Sequence, residues 1–252
     1  MAEPGPLFEY LLRLGDNDLI LGHRLSEWCG HAPALEEDLA LANVALDLIG
    51  QARLWLGLAG EVEGEGRDAD KLAFLRDARQ FRNVLLVEQK NGDFALTLGR
   101  QFFFDTWHYL LLGGLTRSSD PRVAEIAAKS VKEVAYHTER SRDWVVRLGD
   151  GTDESHRRMQ AAVDRLWPYT GELFEMDAVD RVLVETGVAV DLTALRQAWL
   201  EHVGATLEEA TLAQPKSGWM QRGGKRGLHS EHLGYLLAEM QFLQRAYPNA
   251  AW

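Results

Sequence analysis

The sequence predicts an all-α protein, and two patterns carry that prediction. Apolar residues recur at helical spacing along nearly the whole chain, and the alternating β-branched runs that are typical of strands are missing. The chain has 252 residues, of which 46% are hydrophobic, so it is long enough to bury a sizeable core. We therefore expect one helical domain over residues 1–252.

Four long helices are expected near residues 16–29, 33–59, 93–112 and 120–148. The first follows Asp16 and stops at Gly30. In the second, Pro33 suits a first turn, and the acidic residues that follow it suit the positive end of the helix dipole. The pair Gly113-Gly114 ends the third helix, and Asp120-Pro121 opens the fourth.

Shorter helices are expected in the rest of the chain. One or two lie between residues 72 and 87, after an acidic loop at residues 60–68. The C-terminal third predicts helices at residues 153–167, 178–186, 192–213 and 230–247. Four long helices joined in this way favour a four-helix bundle with the C-terminal helices packed around it, and ferritin-like packing is one such arrangement.

Charge and cysteine content exclude several classes of protein. The net charge of −11 argues against non-specific binding to nucleic acid or to an anionic membrane. Cys29 is the only cysteine, so neither an intramolecular disulfide nor a Cys-based zinc site fits the sequence. A reducing cytoplasm is the expected setting.

Neither export nor membrane insertion is expected. Residues 1–9 carry acids and prolines where a signal peptide would carry a basic segment followed by an apolar run. The longest apolar stretch, residues 94–115, falls short of the roughly 18 uninterrupted apolar residues that a membrane span needs. It is interrupted by Arg100, Gln101, Asp105 and His108.

Two of the apolar helices carry a line of polar residues. In the second helix the line is Asn43, Asp47 and Gln51, and in the third it is Thr97, Gln101, Asp105 and His108. The fourth helix adds His137 within its apolar stripe and Glu133 beside it, and the first helix supplies His23 and Glu27 at positions i and i+4. One carboxylate per helix is therefore available, at Glu27, Asp47, Asp105 and Glu133.

This set resembles the interior of di-iron carboxylate bundles, where two helices each supply a Glu and two supply a Glu-x-x-His pair. None of the eight histidines has a glutamate three residues before it, and Asp47 is followed at that spacing by Gly50. We therefore expect no metal site and no catalytic residue. Two alternatives stay open: an ion-paired interior network with Arg24, Arg100 or Lys129 as partners, or an unconventional metal set that adds His108 and His137 to the four carboxylates.

A basic, glycine-rich loop stands out in this acidic chain. Residues 216–226 contain no acid and four cations, Lys216, Arg222, Lys225 and Arg226. The glycines let the backbone approach a ligand closely, and phosphate groups would suit these cations. The alternatives are a mobile surface loop whose charges are solvated, or a contact with an acidic partner, and the neighbouring Trp219 and Met220 favour a protein contact.

Several sequence motifs resemble those of a known family. They are YLLRLGD at 10–16, EWCGHAP at 27–33, DLALAN at 38–43, LDLIGQAR at 46–53, RQF at 79–81, LLVEQ at 85–89 and GGKRGLHSEHLG at 223–234. With these motifs the chain resembles the structural, non-catalytic, ferritin-like subunits of bacterial ring 1,2-phenylacetyl-coenzyme A epoxidases. The resemblance covers nearly the whole chain.

The resemblance implies a multicomponent monooxygenase of phenylacetate catabolism. A sister subunit would hold the di-iron centre, bind the acyl-coenzyme A and activate O₂, and this chain would pair with it without a cofactor of its own. A reductase with FAD and an iron–sulfur cluster would supply electrons from NADPH. The acyl-CoA would lie near the shared interface, with Lys216, Arg222, Lys225 and Arg226 as candidate contacts to ligand or partner.

Overall fold

The computed structural model describes residues 5–216, 218–248 and 250. Residues 1–4, part of the N-terminal segment that argues against export, lie outside these ranges. The described backbone forms ten α-helices, four short 3-10 segments and no strand, so the all-α prediction is confirmed. The chain divides into two compact units, residues 1–90 with 222–252 and residues 91–221. The single ferritin-like domain over residues 1–252 stays a prediction.

In chain order the helices are α1 (Pro6–Ser26), α2 (Leu35–Glu63), α3 (Ala69–Phe74), α4 (Phe94–Leu115), α5 (Pro121–Gly149), α6 (Asp153–Leu166), α7 (Ala178–Glu185), α8 (Leu192–Glu209), α9 (Glu231–Met240) and α10 (Phe242–Ala246). The four long helices of the prediction are α1, α2, α4 and α5. The first pair lies in one unit and the second pair in the other.

The first helix begins ten residues earlier than predicted. Pro6 occupies its first turn, where a missing N–H costs nothing. Asp16, which was expected just before the helix, lies in the middle of α1 and is fully buried. Its carboxylate forms an ion pair with Arg76 and accepts a hydrogen bond of 2.7 Å from the backbone N–H of Arg82. These two partners compensate the burial of its charge. The aspartate that suggested a helix start is therefore one half of a buried ion pair.

Two glycines bring α1 and α2 into close contact. A Cβ atom on Gly15 would lie 2.7 Å from the side chain of Leu56, and one on Gly22 would lie 3.0 Å from Ile49. Both distances are shorter than normal van der Waals contact, so only glycine allows this approach of the two backbones. The two glycines are seven residues apart and therefore share one face of α1.

Residues 72–87 are less helical than predicted. α3 ends at Phe74, a 3-10 turn follows at 78–80, and the chain then runs in irregular conformation. The backbone N–H of Val84 donates to the side chain of Asn17 on α1 at 2.8 Å. Polar side chains of α1 thus satisfy backbone groups that a helix would have satisfied internally.

In the second unit, α4 and α5 pack against each other, and α6 and α8 pack against both. The side chain of Asp93 caps α4 by accepting a hydrogen bond of 2.9 Å from the Leu96 N–H. The helix continues through Gly113-Gly114, which was predicted to end it. A Cβ on Gly114 would lie 2.6 Å from Val190, so this glycine serves packing instead of termination.

Aromatic side chains form the core between α4 and the C-terminal part of this unit. The ring centroids of Phe103, Trp167 and Trp199 lie 5.8 Å apart in each pair. The indole N–H of Trp199 donates to the backbone oxygen of Phe103 at 3.0 Å, which satisfies its buried polar group.

The predicted helix at 230–247 is two helices, α9 and α10. The break falls at Gln241, whose side-chain amide donates to the backbone oxygens of Ala73 and Arg76 at 3.0 Å each. This amide ties the end of α9 to α3 and the turn after it.

By length and mean hydropathy, α2 would suit a membrane span, and 44% of its most apolar 18-residue window is buried. The sequence analysis tested only the longest apolar stretch, residues 94–115, which forms α4. It therefore did not single out α2 as long and apolar enough for a membrane span. A core helix of a soluble protein has the same length and composition.

Candidate functional site

The second unit contains a buried group of polar side chains between α4 and α5. Gln101, Asp105 and His108 come from α4, and His137 and Ser141 come from α5. Each of the five is at most 2% exposed. We call these five residues the α4–α5 polar cluster. Polar groups buried this deeply persist only where they satisfy one another.

Asp105 is the centre of this cluster. The Gln101 amide, one helical turn earlier, donates to its Oδ1 at 2.6 Å. The Thr138 hydroxyl of α5 donates to the backbone oxygen of Asp105 at 3.2 Å. Both helices therefore fix the position of this residue.

Basic and polar neighbours surround this carboxylate. Burial raises the pKa of Asp105 to about 6, and the neighbouring His137, hydrogen bonds from Ser141 and Gln101, and the charge of Arg140 oppose that rise. Burial, reinforced by the neighbouring His137, lowers the pKa of His108 to about 3, so this ring is neutral at physiological pH. The ring also packs against Phe104, with centroids 5.0 Å apart. An imidazole of α5 thus lies near the carboxylate of α4.

The other predicted carboxylates have different surroundings. Glu27 is exposed at the end of α1 and forms an ion pair of 2.8 Å with Arg24. Asp47 on α2 and Glu133 on α5 are half-buried. In the described part of the chain, no group of three or more His, Cys, Asp or Glu side chains is placed to hold a metal ion.

The three cations proposed as partners of the interior carboxylates also differ in surroundings. Arg24 donates to the backbone oxygens of Glu88 and His232 besides its ion pair with Glu27. Arg100 is buried and donates to the Asn91 side chain at 2.7 Å. Lys129 is exposed. The basic residues that act on Asp105 are His137, which the sequence analysis placed among possible metal ligands, and Arg140.

The donors present do not fit a di-iron centre. Such a centre needs several carboxylates aimed at one point, and each iron also needs an imidazole. The α4–α5 polar cluster supplies one carboxylate, which already accepts a hydrogen bond from the Gln101 amide. Glu27 is held by Arg24 at the surface.

A second buried cluster, which the sequence analysis missed, lies in the first unit. Glu88 is fully buried, and its Oε2 accepts from Asn83 at 3.0 Å and lies 2.8 Å from Nδ1 of His229. Its Oε1 accepts from the Ser230 backbone N–H at 2.6 Å. The only indication of this cluster in the sequence was a single acidic residue, Glu88, in the otherwise mostly apolar segment LLVEQ at 85–89.

The basic segment is divided between the units. Lys216 is exposed in the second unit, whereas Arg222, Lys225 and Arg226 belong to the first. Residues 223–227 lie directly on residues 79–85, because a Cβ on Gly224 would meet the backbone oxygen of Asn83 at 2.1 Å. The alternative of a loop free in solvent therefore does not describe residues 223–227. Arg222 and Arg226 are exposed, and Lys225 is half-buried.

One face of α2 exposes apolar side chains to solvent. Leu35, Leu39 and Leu46 are 71%, 57% and 66% exposed. From Leu39 onward this face continues at alternating steps of four and three residues, the spacing of helices that pair side by side. We call it the α2 seam, and it consists of Leu39, Asn43, Leu46, Gly50, Arg53 and Gly57.

Comparison with known proteins agrees with the resemblance seen in the sequence. The family model described as "Phenylacetic acid catabolic protein" matches residues 2–252. The chain is 56% identical over 246 residues to the C component of the 1,2-phenylacetyl-CoA epoxidase of Escherichia coli (strain K12). That alignment covers 98% of this chain and 99% of the relative.

Proposed function

The chain belongs to the phenylacetic acid catabolic protein family, and from this we propose that it is the structural subunit of a multicomponent 1,2-phenylacetyl-CoA epoxidase. It pairs with a sister subunit that holds the di-iron centre, and it takes part in aerobic phenylacetate catabolism in the cytoplasm. A reductase carrying FAD and an iron–sulfur cluster delivers electrons from NADPH to the sister subunit. The all-α fold agrees with the ferritin-like architecture expected of such a subunit.

The observation that carries the non-catalytic role is the set of neighbours around Asp105. In a di-iron bundle the metal compensates the buried carboxylates, whereas here the Gln101 amide donates to the carboxylate, and His137 and Arg140 are the basic residues that act on it. The cluster therefore stabilises the α4–α5 pair by itself. It binds no substrate and moves no proton in this proposal.

Metal analysis of the purified full chain tests this role. We expect no stoichiometric iron and no epoxidation by the chain alone, and full activity only when the sister subunit and reductase are added. About two irons per chain, lost together with activity in Asp105→Ala or His137→Ala without a change in folding, would instead establish a metal-dependent subunit in its own right.

We propose that the α2 seam is the contact surface for the sister subunit. A Cβ atom added to either glycine of the seam would have no atom within 4 Å, so this face is open and a second helix can approach closely there. Exposed leucines at alternating steps of four and three residues supply the apolar contacts.

Two substitutions in the seam separate pairing from folding. Leu46→Glu places a charge on the open face, and Gly50→Leu fills the space that an approaching helix would use. Both should leave the isolated chain folded, and Gly50→Leu should stabilise it by up to about 1 kcal/mol because glycine is a poor helix former. Both should weaken co-purification with the sister subunit at least tenfold. Val182→Glu, the same kind of change at another exposed apolar residue, is the control and should not affect pairing.

The docked basic segment supports a contact with the acyl-CoA held by the sister subunit. Residues 223–227 are fixed on residues 79–85, so the positions of Lys225 and Arg226 are set by the fold. The double substitution Lys225→Ala and Arg226→Ala should weaken acyl-CoA binding by the complex, and the loss should shrink as salt is added. Unchanged affinity would assign this segment to a protein contact.

A further inference from the structure

The cluster around Glu88 has hydrogen-bond partners that determine the protonation of His229. The Nδ1 atom of this ring lies 2.8 Å from a carboxylate oxygen of Glu88, and its Nε2 lies 3.0 Å from the backbone oxygen of Phe81. A carboxylate and a carbonyl only accept hydrogen bonds. Both ring nitrogens must therefore donate to Glu88 and Phe81 together, which a neutral imidazole cannot do.

Glu88 is the acceptor in this pair. Both of its oxygens already accept, Oε2 from the Asn83 amide and Oε1 from the Ser230 N–H. The hydrogen bond between Glu88 and His229 is therefore donated by the imidazole. The ion pair is shielded from solvent, since the side chain of Glu88 is fully buried and that of His229 is 5% exposed.

The same ion pair fastens a specific segment of chain. His229 and Ser230 end the glycine segment that begins at Gly223, and Glu88 lies 141 residues before His229. Within the segment, the backbone N–H groups of Arg226 and Leu228 donate to the Gly223 oxygen at 2.9 and 3.0 Å. The segment thus forms a closed loop that is tied to residues 81–88 by side chains at its C-terminal end.

We propose that the His229 imidazolium and Glu88 form a proton-dependent latch that holds residues 223–230 against residues 81–88 and releases them when the proton is lost. Release would change the position of Lys225 and Arg226. The latch does not rest on the proposed function, because it follows from hydrogen bonds within the first unit.

The neighbouring charges favour the latched, protonated ring. Burial by itself lowers the pKa of His229, but the hydrogen bond and charge of Glu88, the Phe81 carbonyl and the charge of Asp16 outweigh it, and the pKa is raised. Asp16 is itself neutralised by Arg76, and Arg82 pairs with Glu9, so Glu88 is the dominant partner. Arg24 donates hydrogen bonds to the backbone oxygens of Glu88 and His232. It holds the start of α9 in place, which confines release to residues 223–230.

The sign of the pH effect follows from the raised pKa. The latched state binds one more proton than the open state between the ordinary histidine pKa, about 6.5, and the raised value. The latch is therefore at full strength below about pH 6.5. It weakens by up to tenfold per pH unit above that and reaches a constant, weaker level once pH passes the raised pKa.

Amide hydrogen exchange of the full chain between pH 6 and 9 tests the latch, after correction for the intrinsic exchange rate. The opening equilibrium of the Ser230 amide, which donates to Oε1 of Glu88, should rise by up to tenfold per pH unit above pH 6.5 and then level off. In His229→Gln the same amide should be open to one pH-independent extent. The control His31→Gln, at an exposed histidine, should behave like the natural chain.

Two results would overturn the proposal: pH-independent opening in the natural chain, or a pH dependence that persists unchanged in His229→Gln. If His229→Gln does not fold, ¹⁵N chemical shifts of the His229 ring in the natural chain decide instead. A doubly protonated ring at pH 6.5 that loses its proton in step with amide opening supports the latch, and a neutral ring at that pH contradicts it.

Discussion

At the scale of single residues, the interior of the second unit holds a carboxylate and an imidazole that interact. Asp105 and His137 lie on facing helices and are almost completely buried. Removing one member of such a pair leaves the other without its partner in a low-dielectric interior, which costs more than removing both. The pair is therefore an energetic unit, and its members should not act additively.

A double-mutant cycle measures that dependence. Asp105→Asn or His137→Gln alone should lower the free energy of unfolding by about 3 kcal/mol. The double variant should lose clearly less than the sum of the two, as judged by urea unfolding at pH 7. Additivity within about 0.5 kcal/mol would show that the two side chains do not interact.

Asp105 and His108 should change the stability of the protein with pH in opposite directions. The raised pKa of Asp105, about 6, means that the native state keeps a proton that the unfolded state has released, so this group lowers stability as pH rises from about 4 to 6. The lowered pKa of His108, about 3, means that the unfolded state binds the extra proton, so this group raises stability over the same range.

Substitution should expose each contribution. Relative to the natural chain, Asp105→Asn should make the plot of unfolding free energy against pH steeper between pH 4.5 and 6, and His108→Asn should make it shallower. Each change should approach about 1.4 kcal/mol per pH unit, the value for one proton. Urea unfolding at several pH values provides the plots, and slopes that change in the same direction in both variants would contradict the assignment.

Helical periodicity was sufficient to identify Asp105 and His137 as interior polar residues, because both interrupt an apolar face. It could not identify Glu88 or the partner of Asp16, since those contacts join residues far apart in the chain. It also placed Glu27 with the interior carboxylates, whereas this residue is exposed at a helix end and pairs with Arg24. A position on the helical face predicts burial, but it does not predict where the helix ends.

At the scale of elements, Gly15 allows the close approach of α1 and α2, and it can be compared with a helix glycine that makes no such contact. Gly15 faces Leu56 with no room for a methyl group, whereas Gly57 of α2 faces open space. Both lie inside helices, so alanine should gain the same intrinsic helix preference at each position.

Matched alanine substitutions should therefore have opposite effects. Gly57→Ala should raise the free energy of unfolding of the isolated chain by about 0.5 to 1 kcal/mol. Gly15→Ala should lower it by about 1 to 2 kcal/mol, because the added methyl forces the helices apart. Thermal or urea unfolding of both variants checks this, and a gain in stability at Gly15 would show that the interface has room to adjust.

The sequence was sufficient to predict most helices, and its errors have a common cause. Glycine, proline and aspartate were interpreted as local start and stop signals. Asp120 and Pro121 do act in that way. Asp16 and Gly114, by contrast, make tertiary contacts with Arg76 and Val190, and these contacts are invisible in a local pattern. The residues after α3 stay irregular for the same reason.

At the scale of the whole molecule, pairing with the sister subunit should stabilise this chain by mass action. A partner that binds only the folded state at about 100 times its Kd adds about 2.7 kcal/mol. For a chain of this length that corresponds to a rise in Tm of about 5 to 10 °C. Calorimetry at increasing partner concentration should show the rise. Leu46→Glu should abolish it, and an unchanged Tm with partner in excess would argue against pairing through folded surfaces.

The order of the units along the chain affects how the protein is synthesised. The second unit is one continuous stretch, whereas the first is completed only by residues after 221, which include the partners of Glu88 and Ala73. On the ribosome, residues 91–221 emerge and can fold while α1 and α2 still lack those partners. The N-terminal helices of a nascent chain should therefore stay sensitive to protease until translation is nearly finished.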